Sequence, residues 1–333
     1  MILHPAIIAL YLSSFISVAL LIYSSSFAAM ILRKWDIGSG SELQLSLERR
    51  TYLISVILSY LFFFQFLSLF LFIYTADNLH NLFTGSMCAA GTLNVNQYGY
   101  PVLVLKIVNF ILAGVWLIIN RIDISAHDYP LIKNKYSLLL FVAPLMIAES
   151  ALQTAYFMGL NADVITSCCG SLFSSDSTNI TSEIASLPSL QAKAVFYISM
   201  TLTLAAGIVL CYKNKGGLLF SILSLLSFVI SVAALISFIS LYYYELPTHH
   251  CPFCILQSEY GYAGYYLYLT LLCGVVTGIG AGIAGRFSNI KSLAPVILVI
   301  QKKLIIASLL SYGIFTAIVT LKMILSDFIL EGY

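Results

Sequence analysis

The chain has 333 residues, 60% of them hydrophobic and 9% charged, against roughly 25% charged in an average soluble domain. With 16 Lys and Arg, 14 Asp and Glu and a mean hydropathy of +0.96, too little polar surface remains to cover a water-exposed globule, which excludes a soluble enzyme. The net charge of +2, carried by basic residues scattered over short loops, excludes a nucleic-acid partner and leaves the lipid bilayer as the partner surface.

A membrane-spanning helix needs about 20 apolar residues. Stretches of that kind run near 6–32, 51–75, 101–119, 137–160, 191–212, 218–241, 262–285 and 304–325. They predict an all-α polytopic membrane protein, a bundle of about eight transmembrane helices forming a single integral membrane domain over 1–333. The first stretch follows His4 without a basic leader or an Ala-x-Ala cleavage site, so it reads as a retained helix.

The loops alternate in charge. Arg33, Lys34, Arg49 and Arg50 follow the first span, Arg121, Lys133 and Lys135 the third, Lys213 and Lys215 the fifth, and Arg286, Lys291, Lys302 and Lys303 the seventh. The intervening loops and both termini carry no Lys or Arg. By the positive-inside rule the basic loops face the cytoplasm. Both termini and the loops at about 76–100, 161–190 and 242–261 are then exterior, in what reads as a prokaryotic cytoplasmic membrane.

Of 7 cysteines, Cys273 and Cys211 fall in or at the end of spans, where a small apolar role is the default. The other five, Cys88, Cys168, Cys169, Cys251 and Cys254, sit in the three exterior loops, one loop each for Cys88, the adjacent pair and the Cys-x-x-Cys. That face of a prokaryotic membrane permits disulfides, and an odd number leaves one sulfur over after two bridges. The run Thr248-His249-His250-Cys251-Pro252-Phe253-Cys254 is the most informative segment. Placed at a helix start beside histidine, a Cys-x-x-Cys favours the thiolate that attacks disulfides. The same spacing suits a metal, with His249 and His250 as nitrogen ligands to add to Cys251 and Cys254. A structural staple between loops is the third reading. Met87 beside Cys88 would suit a soft cation, and adjacent Cys168 and Cys169 can close only a strained ring.

Inside the spans, Glu149 lies at mid-depth of the fourth with Gln153 one turn on, a functional candidate by default that should face the bundle interior. Lys106, Lys193 and Lys322 lie near the exterior helix ends, individually as snorkelling side chains and together as holders of an anionic headgroup, a substrate carboxylate or a quinone oxygen. Tyr260 belongs to a tyrosine cluster flanking the Cys-x-x-Cys, mostly interfacial anchors. Gln65 and Asn109 suit interhelical hydrogen bonds, and Gly274, Gly278 and Gly282 form a face for close helix approach.

Cys251-Pro252-Phe253-Cys254 resembles the Cys-Pro-aromatic-Cys of glutaredoxins, without their βαβ setting. With Ile255-Leu256-Gln257 and the seventh span behind it, the segment resembles more closely the DsbB-type and vitamin-K-epoxide-reductase-type membrane disulfide-generating families. That resemblance implies a membrane thiol–disulfide oxidoreductase: Cys251 and Cys254 exchanging with Cys168, Cys169 and Cys88, and electrons passing between an exterior thiol or redox protein and a bound quinone. On their own placement, Lys106, Lys193 and Tyr260 are candidate quinone contacts and Glu149 a candidate for proton uptake. Ser258-Glu259 stands where DsbB-type proteins carry an arginine, and those families have a four-helix core. The competing expectation is an exterior Cys/His centre for copper, zinc or haem, in a transporter or a subunit of a respiratory or maturation complex. The Cys-x-x-Cys-His haem-attachment signature is absent, because Ile255 takes the His place.

Overall fold

A computed structural model of the chain describes residues 3–166 and 180–330. It is 79% helical, with no strand among the described residues. Among the described residues eight helices are long and apolar enough to cross a membrane, so the protein is an integral membrane protein of the all-α polytopic class expected from its sequence. In chain order they are α1 (Pro5–Lys34), α2 (Glu42–Asn78, extended by a 3-10 turn at Leu79–Leu82), α4 (Gly99–Asp123), α5 (Ile132–Met158), α7 (Ser189–Lys213), α8 (Gly217–Ala234), α10 (Ala263–Arg286) and α11 (Ala294–Leu325). Two shorter helices, α3 (Ala89–Leu93) and α6 (Ile180–Ala185), lie in the connections. A π turn at Leu235–Ile239 continues α8 into α9 (Ser240–Tyr244).

Helices are dictated here because lipid offers backbone N–H and C=O groups no partner, so each span must satisfy them internally. Prolines sit where that rule allows: Pro5 opens α1 at a position whose N–H is an orphan in any case. Pro144 is the exception inside α5. Several helices outrun the apolar stretch that announces them. α2 starts at Glu42 and α11 at Ala294, about nine or ten residues before the expected spans; α2 runs through the polar stretch ahead of its span and α11 through Gln301, Lys302 and Lys303, since an established helix propagates through polar residues at little cost.

The chain divides into two compact units. One comprises Met1–Thr75, Val95–Asn161 and Phe287–Leu298; the other comprises Ala76–Asn94, Ala162–Arg286 and Val299–Tyr333. In the first, α5 packs against both α1 and α4. Its apolar interior includes Phe62 and Trp116, with ring centroids 4.9 Å apart, and Tyr136, Leu139 and Val142.

In the second unit α8 packs closely against α10 and α7. The glycine face of α10 lets α8 and α11 come close to it. A Cβ on Gly274 would lie 3.1 Å from the Tyr312 ring, one on Gly278 would overlap Ser224, and one on Gly282 would overlap Ser221. The close approach brings hydroxyls onto helix carbonyls: Ser308 Oγ donates to Gly274 O at 2.9 Å, Ser221 Oγ to Ile279 O at 3.1 Å and Tyr312 Oη to Ser224 O at 2.7 Å. Without a hydrophobic force between helices in lipid, such contacts and tight packing supply the association.

Candidate functional site

Three of the sulfurs singled out in the sequence meet in the second unit. The Sγ atoms of Cys88, Cys251 and Cys254 all lie within 4.8 Å of one another, with Cys88 Sγ 3.5 Å from Cys251 Sγ. They are closed off from solvent: Cys88 and Cys251 are 0% exposed and Cys254 is 4% exposed. His249 adjoins them from the Cys254 side, its Nε2 3.4 Å from Cys254 Sγ.

The loops that bring these residues together are fastened by side chains. Asp77, at the end of α2, accepts from the Ala89 N–H at 3.1 Å and from Gln257 Nε2 at 3.4 Å. Gln257 Nε2 also donates to Met87 O at 2.8 Å, so one amide ties the Cys88 segment to the Cys-x-x-Cys loop. Ser86 Oγ donates to Cys88 O at 3.2 Å. Gly85, at φ +85°, passes so close to Thr166 O that any Cβ would collide with it, and the Thr166 N–H donates to Thr84 O at 3.0 Å. On the other side, Tyr244 Oη donates to Cys251 O and accepts from the Ile255 N–H at 2.9 Å, spanning the Cys-x-x-Cys turn. Tyr268 Oη donates to Pro252 O. The Tyr244 ring packs edge-on against His249 at 4.3 Å and Tyr260 at 4.8 Å. Burial, with the Cys254 sulfur and the Glu259 carboxylate nearby, pushes the Tyr260 phenol above its ordinary pKa, so it stays a neutral neighbour of the sulfurs.

Several expectations change here. The Cys-x-x-Cys does not open the seventh membrane helix: Cys254 begins a three-residue 3-10 turn, Cys254–Leu256, and α10 starts only at Ala263. Left-handed residues Gly261 (φ 62°) and Tyr262 (φ 55°) break the path between them, so Cys251 does not sit at the first turn of α10. His250 does not turn toward the sulfurs as His249 does; its Nδ1 bonds to Ile236 O at 3.0 Å. Met87 is 67% exposed, unlike the buried cysteines. Cys168 and Cys169 lie outside the described residues.

The intramembrane polar residues assemble in the first unit. Glu149 is 3% exposed and points inward, as its depth requires. Its neighbour is not Gln153, which donates to Leu10 O and Ser14 Oγ. Glu149 Oε1 instead receives Lys106 Nζ at 2.7 Å, and Oε2 receives Gln65 Nε2 and Asn109 Nδ2, each at 2.6 Å. Lys106 also donates to Ser68 Oγ at 2.8 Å and is fully buried; it does not snorkel. A second buried pair was missed altogether. Lys135 Nζ lies 2.7 Å from Asp123 Oδ2, with both side chains at 0% exposure, and donates to Asn120 Oδ1 and Ser55 Oγ. Lys135 reads as a topogenic loop charge in the sequence but belongs to the first turn of α5. Antiparallel neighbours joined by a short loop put opposite charges near their joined ends side by side, which is the signal that could have paired them.

Lys193 donates to Tyr242 Oη at 2.7 Å, and Lys322 lies 3.6 Å from Glu245 with its side chain 32% exposed. Lys193 and Tyr260 are thus engaged by aromatic neighbours within the second unit, and Lys106 by the carboxylate network of the first. No family model matches this chain, and neither the curated proteins nor the solved structures compared with it give a match.

Proposed function

We propose that this protein is an integral membrane protein built around a metal–thiolate centre, with Cys88, Cys251 and Cys254 as sulfur ligands and His249 as the nitrogen donor. The observation that supports this most is the convergence of three buried sulfurs beside one imidazole. A tetrahedral zinc ion bound at about 2.3 Å to sulfur sets its sulfurs roughly 3.8 Å apart; Cys88 and Cys251 are at 3.5 Å, the three sulfurs lie within 4.8 Å of one another, and His249, 3.4 Å from Cys254 Sγ, would close in from that side as the ion binds. Three thiolates and a neutral imidazole leave a zinc centre at net −1 and a copper(I) centre at net −2. In a site this buried the smaller uncompensated charge is favoured, so zinc is the assigned ion. A haem iron, which offers the protein only its axial positions, matches this ligand set poorly. Four protein ligands make a closed site that ties residues 76–94 to residues 245–262 and holds the membrane unit together there. The centre faces the exterior side of a prokaryotic cytoplasmic membrane, on the strength of the basic-loop asymmetry.

A second reading is supported by the 3.5 Å approach of Cys88 to Cys251. Attack of a Cys88 thiolate on a Cys251–Cys254 disulfide would form a Cys88–Cys251 bond, release the Cys254 thiolate and keep the number of disulfides constant. A quinone would serve as final electron acceptor, as in the DsbB-type and vitamin-K-epoxide-reductase-type families that the motif resembles. The 0% exposure of Cys88 and Cys251 weighs against direct exchange with an exterior protein.

Metal analysis and thiol counting on the same purified full-length protein separate the two. The metal reading expects about one zinc per chain, lost in Cys251→Ser, and three thiols, those of Cys88, Cys251 and Cys254, that react only after chelation. Zinc-free protein whose thiol count falls reversibly on incubation with a quinone would replace it with the redox reading.

A further inference from the structure

His249 and His250 are adjacent, yet only His249 turns toward the sulfurs. His250 reaches back to the π turn at Leu235–Ile239, where α8 passes into α9. A π turn admits one extra residue and leaves carbonyls poorly matched to the helix ladder, and such turns recur at functional sites. Here the carbonyls are taken up in two ways. Leu235 O accepts from both the backbone N–H and the hydroxyl of Ser240, and Ile236 O accepts from His250 Nδ1 at 3.0 Å. A carbonyl can only accept, so this bond fixes the proton of His250 on Nδ1.

The turn also decides what the next residues face. Relative to an uninterrupted α-helix, one extra residue rotates everything beyond it by about 100°. The residues carried by that rotation are Tyr242, which meets Lys193 at 2.7 Å, and Tyr244, which clasps Cys251 O and the Ile255 N–H. A single connected path therefore runs from the π turn through Tyr244 to the backbone of the Cys-x-x-Cys, and His250 closes it from the loop side.

We infer that the π turn at Leu235–Ile239 sets the register of the cysteine site and that His250 is its positioning residue, not a ligand. This inference rests on the metal-centre reading above for its main readout. Outer-shell partners of this kind typically change metal affinity 10–100-fold when removed.

The test uses full-length protein in detergent loaded with cobalt(II), whose absorption reports its ligands. His249→Ala should shift the cobalt absorption bands, because a nitrogen ligand is lost. His250→Ala should keep the wild-type bands at saturating cobalt while affinity falls about 10–100-fold. His250→Asn, whose amide nitrogen sits the same number of bonds from the backbone as Nδ1, should restore affinity. Bands in His250→Ala that shift as they do in His249→Ala would make His250 a ligand. Wild-type affinity in His250→Ala, or no rescue by asparagine, would also overturn the inference. If wild-type protein takes up no metal, the metal-centre reading fails, and the same variants are read by oxidant-driven cross-linking of Cys88 to Cys251. Wild type and His250→Asn should then cross-link at one rate and His250→Ala more slowly; equal rates in all three would overturn it.

Discussion

Lys106→Met in the first unit is the most informative single substitution. Lys106 is fully buried and Glu149 is 3% exposed, 2.7 Å apart. At that separation, and at an effective dielectric of 20, Coulomb attraction is about 6 kcal/mol, which desolvation of both ions largely offsets. Removing the lysine alone abolishes the attraction and leaves the carboxylate its desolvation penalty, held only by the amides of Gln65 and Asn109. Breaking such a pair from one side costs about 3–5 kcal/mol. Glu149→Gln leaves the Lys106 ammonium buried without its counter-ion and should cost a similar amount, although its hydrogen bonds can be kept. Its amide oxygen can still accept from Lys106, and its NH2 would face two donor groups, but the buried Oδ1 of Asn109 has no hydrogen bond and can turn to accept from it. The double variant Lys106→Met with Glu149→Gln should recover most of the single Lys106→Met loss, since no buried charge remains. Both tryptophans, Trp35 and Trp116, lie in this unit, so denaturant titration in detergent followed by tryptophan fluorescence reports its unfolding selectively. A Lys106→Met protein within about 1 kcal/mol of wild type, below the one-sided penalty, would refute the reasoning, as would a double variant no more stable than the single.

The Asp123–Lys135 pair should behave similarly but with an added backbone debt, because Asp123 Oδ1 accepts from the Leu131 N–H at 2.8 Å. Asp123→Ala should exceed Asp123→Asn in destabilisation by about 1 kcal/mol, measured by the same titration; equal losses would show that this bond contributes little. Gly278→Ala should cost about 1–3 kcal/mol by forcing α10 away from Ser224. Gly313→Ala, with nothing within 4 Å of the new Cβ, should be neutral or stabilising through helix propensity, and thermal unfolding that ranks the two variants the other way would contradict the packing account. For orientation, the buried native cysteines are poor reporters. In a background lacking Cys168, Cys169 and Cys211, Ser258→Cys should label with a membrane-impermeant thiol reagent on intact cells, and Lys213→Cys only after permeabilisation; the reverse pattern would invert the topology.

Much of the architecture is legible in one dimension, because lipid imposes a test that each segment passes or fails alone. Twenty apolar residues must be a helix, whatever surrounds them, so the spans near 101–119 and 262–285 are found as α4 and α10. The glycine face of Gly274, Gly278 and Gly282 is legible for a similar reason, since a repeat every fourth residue marks a helix side before its neighbour is known. The inward direction of Glu149 also follows from its depth alone. Partnership is different. Glu149 meets Lys106, 43 residues away, and Cys88 meets Cys251, 163 residues away, and no local pattern encodes which charges or sulfurs share a depth and a face once helices pack. The two histidines show the limit most sharply. Side by side in the sequence they are equivalent ligand candidates, and the turn of the backbone between Leu246 and Cys251 sends one to the sulfurs and the other to a helix carbonyl. Composition and periodicity determine which segments cross the membrane; the packing of helices and the hydrogen bonds of loops decide which side chains meet, because those contacts depend on distances that only the folded chain defines.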